Sequence, residues 1–294
     1  MSFTIKTAEK KKLKLKICLQ GASGSGKTYS ALQLAYGITG DWKKVYVIDT
    51  ENESATYYSD QGPWKHVNFT PPYHPNRYIE AIDACMADGA EVIVIDSLTH
   101  EWDGRGGCLE LHQSEVDKQK YGNSFTAWKN ITPLHNAFID HLRISPVHII
   151  GCTRTKQEYS LEKNEKGQAV PKKIGLKGVQ RDGIDYEFGL VFELDMDHMA
   201  FSGKDRTGLF ADKPKHMITP DTGRKLLDWA NSGKEEVPII ELYEATPEHK
   251  NTLMKIAKMQ GINDLETYKK LSEKCMGIPM TEISSEITAH LSGN

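Results

Sequence analysis

The chain has 294 residues, 38% of them hydrophobic and 9% aromatic, with 37 Lys and Arg against 40 Asp and Glu for a net charge of −3. That length accommodates one large α/β domain plus a small appendage and excludes three full domains; the composition excludes a disordered scaffold, and the charge excludes a histone-like polycation. The longest apolar runs are of strand length, short of the roughly 20 residues that cross a bilayer, so the expectation is a soluble, non-secreted, cytoplasmic protein.

In chain order, a basic leader from Lys10 to Lys16 overlaps a first strand, Leu13 to Leu19. A glycine loop follows, Gly21-Ala22-Ser23-Gly24-Ser25-Gly26-Lys27-Thr28, and then a helix from Tyr29 to Tyr36. The second strand, Val45-Tyr46-Val47-Ile48, runs into Asp49-Thr50-Glu51. Past a Pro-rich stretch (Pro71, Pro72, Pro75), apolar residues from Arg77 to Asp88 recur near helical spacing and stop at Gly89. Val92-Ile93-Val94-Ile95-Asp96 is an unbroken β-branched run, as expected of a strand buried on both faces of a parallel sheet. A helix ending near Arg143 leads to a fourth strand, Val147 to Cys152, and Leu190 to Leu194 makes a fifth. Strands alternating with helices predict an α/β fold, a mostly parallel sheet flanked by helices, with its ligand at the carboxyl ends of the strands.

The expected core is 1–233, followed by a linker over 234–245 and a helical domain over 246–294. In the last of these, Thr246-Pro247-Glu248 reads as a helix start and Ile283, Ile287 and Leu291 lie four apart on one face. The five cysteines, Cys18, Cys85, Cys108, Cys152 and Cys275, are scattered and form no C-x-x-C pair, so they read as reduced thiols without a zinc site.

Gly21-x-x-x-x-Gly26-Lys27-Thr28 is a complete P-loop pattern set between a strand and a helix. Its glycines let backbone N–H groups curl around phosphate oxygens, and the following helix turns its positive end to the same anion. Gly21 through Tyr29 therefore form the expected ATP site, with Lys27 on the outer phosphates and the Thr28 hydroxyl on Mg²⁺. A second metal ligand belongs at the end of a neighbouring buried strand, which Asp96 supplies. Hydrolysis also needs a carboxylate to act on the attacking water. Ser97 follows Asp96, so that carboxylate comes from elsewhere: Glu51 is the natural donor, with Glu53 and Glu101 as alternatives.

Between Lys156 and Arg181 stand seven cations and three acids, together with three glycines and Tyr159. A mobile, basic loop with an aromatic suits single-stranded DNA, and Lys156, Tyr159, Lys172, Lys173, Lys177 and Arg181 are the candidate contacts. On charge alone a solvated hairpin accounts for the same residues.

The P-loop, Val-Ile-Asp-Thr-Glu, Val-Ile-Val-Ile-Asp-Ser, Gly183-Ile184-Asp185-Tyr186-Glu187-Phe188, Lys204-Asp205-Arg206-Thr207-Gly208 and Ile218-Thr219-Pro220-Asp221-Thr222-Gly223-Arg224 together resemble phage-type AAA-family ATPases of the RecA superfamily, nearest to the Sak-type single-strand annealing or recombination ATPases. The resemblance spans roughly residues 10 to 232. It implies a RecA-like P-loop NTPase fold and places Glu51 as the catalytic glutamate on the strand beside the metal strand. It puts the fourth strand between the P-loop and metal strands, so that Thr153 or Arg154 would sense the γ-phosphate, although RecA itself has Asn-Gln there. It further implies that Lys204 and Arg206 complete a neighbouring subunit's site in a ring or filament. The expected setting is recombination or replication in an infected bacterial host, alongside other phage proteins. A P-loop kinase of a nucleotide or small metabolite, and a nucleotide-gated assembly protein with slow hydrolysis, are the competing readings.

Overall fold

In a computed structural model, residues 7–119, 123–163 and 169–233 are described, with the backbone alone for 157–163 and 169–177. The chain divides into two units, Met1–Lys234 and Glu235–Asn294. The expected linker and helical domain lie outside the described residues.

The parallel strands are β1 (Lys16–Gly21), β2 (Val45–Asp49), β3 (Lys65–Asn68), β4 (Val92–Asp96), β5 (His148–Lys163) and β7 (Leu190–Leu194), in the spatial order β3-β2-β4-β5-β1-β7. Two antiparallel strands, β8 (Met199–Asp205) and β9 (His216–Met217), extend the β7 edge, while β6 (Ala169–Gly178) pairs antiparallel with β5. The fourth predicted strand thus lies between the P-loop strand and the strand ending at Asp96.

Helices α1 (Lys27–Thr39) and α6 (Pro220–Asn231) share one core with the sheet; α2 (Pro75–Ala87) and α5 (Ser124–Ile144) share the other. Successive strand residues divide between these two cores. Val92 and Val94 belong to the first, Ile93 and Ile95 to the second, which is why β4 reads as a continuous apolar run. Fully burying side chains of this size contributes about 2 kcal/mol each. The α1–α6 contact needs glycine at both crossing positions: a methyl on Gly37 would lie 2.1 Å from the Pro220 carbonyl oxygen, and one on Gly223 would lie 2.5 Å from that of Leu34.

Three expectations change. The first strand begins at Lys16, because the Leu13 N–H bonds the Ala230 carbonyl on α6 and the Leu15 N–H bonds His148 Nδ1. The fourth strand does not exit at Thr153-Arg154: β5 continues past Arg154 to Lys163 and returns as β6, so of the two readings of the basic stretch the backbone takes the hairpin. Between β4 and α5, α3 (Thr99–Asp103) and α4 (Cys108–Asp117) add two short helices that the sequence did not announce.

Candidate active site

Register brings the expected site residues to one edge. Asp49 pairs with Asp96, Asp96 with Cys152, and Gly21 with Arg154, so the loop after β1, the turn after β2 and the end of β4 meet where the parallel strands end.

The loop from Gly21 to Lys27 turns through left-handed glycines, Gly24 at φ 83° and Gly26 at φ 85°. Ser25 is buried, and its hydroxyl has no hydrogen-bond partner. Lys27, also buried, folds its Nζ across the loop onto the carbonyls of Gly21 (3.1 Å) and Ala22 (2.9 Å). An ammonium paired only with neutral carbonyls adds its charge to that of the α1 N-terminus, and this donor set fits a polyphosphate. Tyr29, next in the helix, is half exposed with its ring centroid 5.9 Å from that of Tyr58.

The Thr28 hydroxyl donates to Asp96 Oδ2 at 2.5 Å. Burial pushes the Asp96 carboxyl up to about 6, with the Thr28 bond opposing the shift. A hydroxyl beside a desolvated carboxylate is the oxygen pair a hard divalent cation takes, and Mg²⁺ bound there would favour the ionised form.

Glu51 stands just beyond β2, its N–H donating to Asp49 Oδ1 at 2.7 Å; the other Asp49 oxygen accepts the Ala55 N–H at 2.8 Å. Asp49, fully buried, thus fixes the turn that carries Glu51. Arg154 Nε donates to Glu51 Oε1 at 2.9 Å, and the Arg154 N–H donates to the Thr99 hydroxyl. Thr50 links β2 to the end of β4, accepting the Ser97 N–H at 2.7 Å and contacting His100 Nδ1 at 2.7 Å.

The competing carboxylates are engaged elsewhere. Glu53, in left-handed backbone, accepts from Asn68 on β3. Glu101 is buried and accepts from Cys108 Sγ (3.1 Å), His135 Nδ1 (3.0 Å) and Gln180 Nε2 (3.0 Å). Glu101, Cys108 and His135 bring ligand atoms within 4.8 Å of one another, a grouping that the scattered cysteines gave no sign of. Its hydrogen bonds satisfy the carboxylate without an ion.

Of the two sensor candidates, Thr153 is fully buried with its hydroxyl 3.7 Å from Cys18 Sγ, whereas Arg154 is partly exposed and reaches Glu51. Lys204 lies on β8 and Arg206 just past its end. There β8 pairs with the start of β7, Lys204 with Val191 and Asp205 with Leu190, about 10 to 13 Å of strand from the phosphate-loop edge at Leu194. Lys204 Nζ donates to the carbonyls of Asp185 (2.8 Å) and Tyr186 (2.9 Å); Arg206 is exposed. The two candidate fingers therefore differ: Lys204 is bonded within its own chain, and Arg206 presents its side chain to solvent.

Among the hairpin candidates, Lys156 is exposed and Arg181 half-buried, with its guanidinium 3.4 Å from Asn136 Oδ1. The backbone register sets Lys156 opposite Lys177, Tyr159 opposite Lys173 and Ser160 opposite Lys172. The side chains of Tyr159, Lys172, Lys173 and Lys177 lie outside the described residues. Both roots of the hairpin attach to the segment after Asp96, Arg154 through Thr99 and Gln180 through Leu98 and Glu101.

Among described helices, none is long and apolar enough to cross a membrane. No curated protein matches the chain. Among solved structures it is similar to a KaiC-like protein from the hyperthermophilic archaeon Pyrococcus horikoshii OT3, at 14% identity and a TM-score of 0.34 over 70% of this chain and 87% of that one. The profile of the AAA domain family matches residues 13–225, from before β1 into α6, and this P-loop protein with its Thr28–Asp96 pair accordingly belongs to the AAA domain family of P-loop ATPases.

Proposed function

We propose that the chain hydrolyses ATP as an oligomeric, DNA-stimulated motor or switch on single-stranded DNA, in phage recombination or replication. The observation that carries the reading is the Arg154–Glu51 ion pair, which joins the expected catalytic carboxylate to the strand that becomes the basic hairpin. A kinase of a nucleotide or small metabolite is the competing reading; Glu51 at the end of β2, placed to act on water, is what favours hydrolysis.

Mg–ATP, when bound, supplies the phosphoanhydride to be cleaved and a Lewis acid on its outer phosphates. Lys27, the loop N–H groups and the α1 N-terminus hold the phosphate chain, and Thr28 with Asp96 hold the cation. Glu51 orients the attacking water and takes its proton on a carboxylate oxygen. That oxygen accepts from Arg154 in this structure, so Arg154 acts as a latch: paired with Glu51 it occupies the base, and turned to an outer phosphate it frees the base. Because Arg154 belongs to β5, single-stranded DNA on the hairpin biases the same latch. Arg206 enters the neighbouring subunit's site, where its guanidinium neutralises charge developing on the transferred phosphoryl group.

The test is the ATPase rate with and without single-stranded DNA. Stimulation that Glu51→Gln removes while ATP binding persists supports the reading; equal rates with and without DNA overturn it.

A further inference from the structure

None of the phosphate contacts expected from the sequence comes from the turn between β7 and β8, but the fold sets that turn against the P-loop. Between β7 and β8, residues Asp195 to His198 form a tight turn at the P-loop edge of the sheet. Asp195 braces this turn: Oδ1 accepts the N–H groups of Asp197 (3.1 Å) and Met199 (3.0 Å), its carbonyl accepts that of His198, and Oδ2 pairs with Lys215 at 2.8 Å. His198 has a left-handed φ of 61°, a conformation uncommon for a residue with a Cβ. That backbone sets the ring against the loop. A methyl on Gly26 would lie 3.1 Å from His198 Nδ1, and one on Gly24 would lie 3.6 Å from the Met196 methyl. Both side chains are otherwise exposed, Met196 at 62%.

Gly26 is the glycine whose N–H opens the phosphate-binding turn into α1. From bond geometry, a Cβ position is about 2.5 Å from its own nitrogen, so His198 Nδ1 lies within about 6 Å of the Gly26 N. A phosphate oxygen that accepts from that N–H at about 2.9 Å and lies on the His198 side of it comes within a donor's reach of the imidazole. Nothing in the loop pattern supplies this donor, which arrives from residues some 170 positions later in the chain.

We propose that His198 is a further nucleotide-binding residue, its imidazole donating to the phosphate chain beside Gly26. This rests on the P-loop holding ATP. His198→Gly removes the ring and suits the left-handed backbone. His198→Asn tolerates the same backbone and keeps an N–H donor close to the position of Nδ1. Equilibrium binding of Mg–ATP and of inorganic tripolyphosphate to the full chain decides it. The expected result is about tenfold weaker binding of both ligands by His198→Gly, as for loss of a hydrogen bond to a charged group, with substantial recovery in His198→Asn. Parental affinity for both ligands in His198→Gly overturns the proposal, as does weakened ATP binding with tripolyphosphate binding unchanged, which would put the ring on the nucleoside. Failure of the parent protein to bind ATP would instead overturn the reading of the P-loop on which the proposal stands.

Discussion

Replacing Arg154 by Ala separates a latch from an ordinary phosphate ligand, because the two roles move the basal rate in opposite directions. In the structure the guanidinium Nε is 2.9 Å from Glu51 Oε1, with the Arg154 side chain 43% exposed and that of Glu51 25% exposed. An ion pair this open to solvent contributes about 0.5 to 1 kcal/mol. Freeing Glu51 from it lowers the barrier without DNA by no more than that amount, a two- to fivefold gain in basal turnover. The same substitution removes the group that couples β5 to the site, so the DNA-stimulated rate falls towards the raised basal rate. Steady-state ATPase assays at saturating ATP, with and without a single-stranded oligonucleotide, read both numbers, and calorimetry of ATP binding controls for affinity. Equal loss of both rates in Arg154→Ala would refute the latch and leave Arg154 as a phosphate ligand alone.

Lys27→Ala should abolish ATP binding, whereas Glu51→Gln should bind ATP like the parent and lose at least about 10²-fold in turnover; retention of turnover by Glu51→Gln would move the role to another carboxylate. Mixing Arg206→Ala with Glu51→Gln protein should restore some ATPase, since some mixed interfaces pair an intact arginine with an intact glutamate, and two co-assembled inactive parents that stay inactive would favour a role in cis. Neutralising Lys172, Lys173 and Lys177 should weaken binding to single strands and flatten its salt slope by about 0.7 for each DNA phosphate that is no longer neutralised, with unchanged affinity and slope counting against the hairpin. Buried His148 accepts the Leu15 N–H on Nδ1, and burial lowers its pKa to about 3. The unfolded chain therefore takes up a proton that the folded chain refuses: this contribution is intact above about pH 6.5 and erodes as pH falls, by about 2 kcal/mol at pH 5. Chemical denaturation of the parent and of His148→Gln should show the variant losing less stability between pH 7 and 5; parallel losses would refute the assignment.

What could be read in advance was whatever depended on neighbours in sequence. Val92 to Ile95 announces a strand buried on both faces, and Asp96 follows from its end. Gly24 and Gly26 mark a loop that only left-handed residues can close. By contrast β3, with Lys65, His66, Val67 and Asn68, is a short edge strand whose polar residues carry no hydrophobic period. The basic stretch read as a loop because its glycines and charges mask the alternation that makes β5 and β6. Pairings between distant residues were out of reach altogether: Arg154 with Glu51, Gln180 with Glu101, and His198 with Gly26 depend on strand order, which no local pattern encodes. The same reason explains why Lys204 looked like a finger equal to Arg206. Its carbonyl partners, on Asp185 and Tyr186, come from the turn before β7.

β5 is a single strand that begins in the core and ends at Lys163, well beyond the edge at Arg154. At a rise of about 3.3 Å per residue, the part past Arg154 is an arm about 30 Å long. A tilt of about 10° where Thr99 grips it would swing the far end by about 5 Å, close to the spacing of neighbouring strands in a sheet. A movement at the nucleotide edge too small to disturb the packed core would thus become a larger displacement at Lys163. Work done there would pull on Thr99 and Arg154 with the inverse mechanical advantage: small travel and multiplied force. The stretch that reads in sequence as a basic insert is, in the fold, the continuation of a core strand past the edge where the Thr28–Asp96 pair lies.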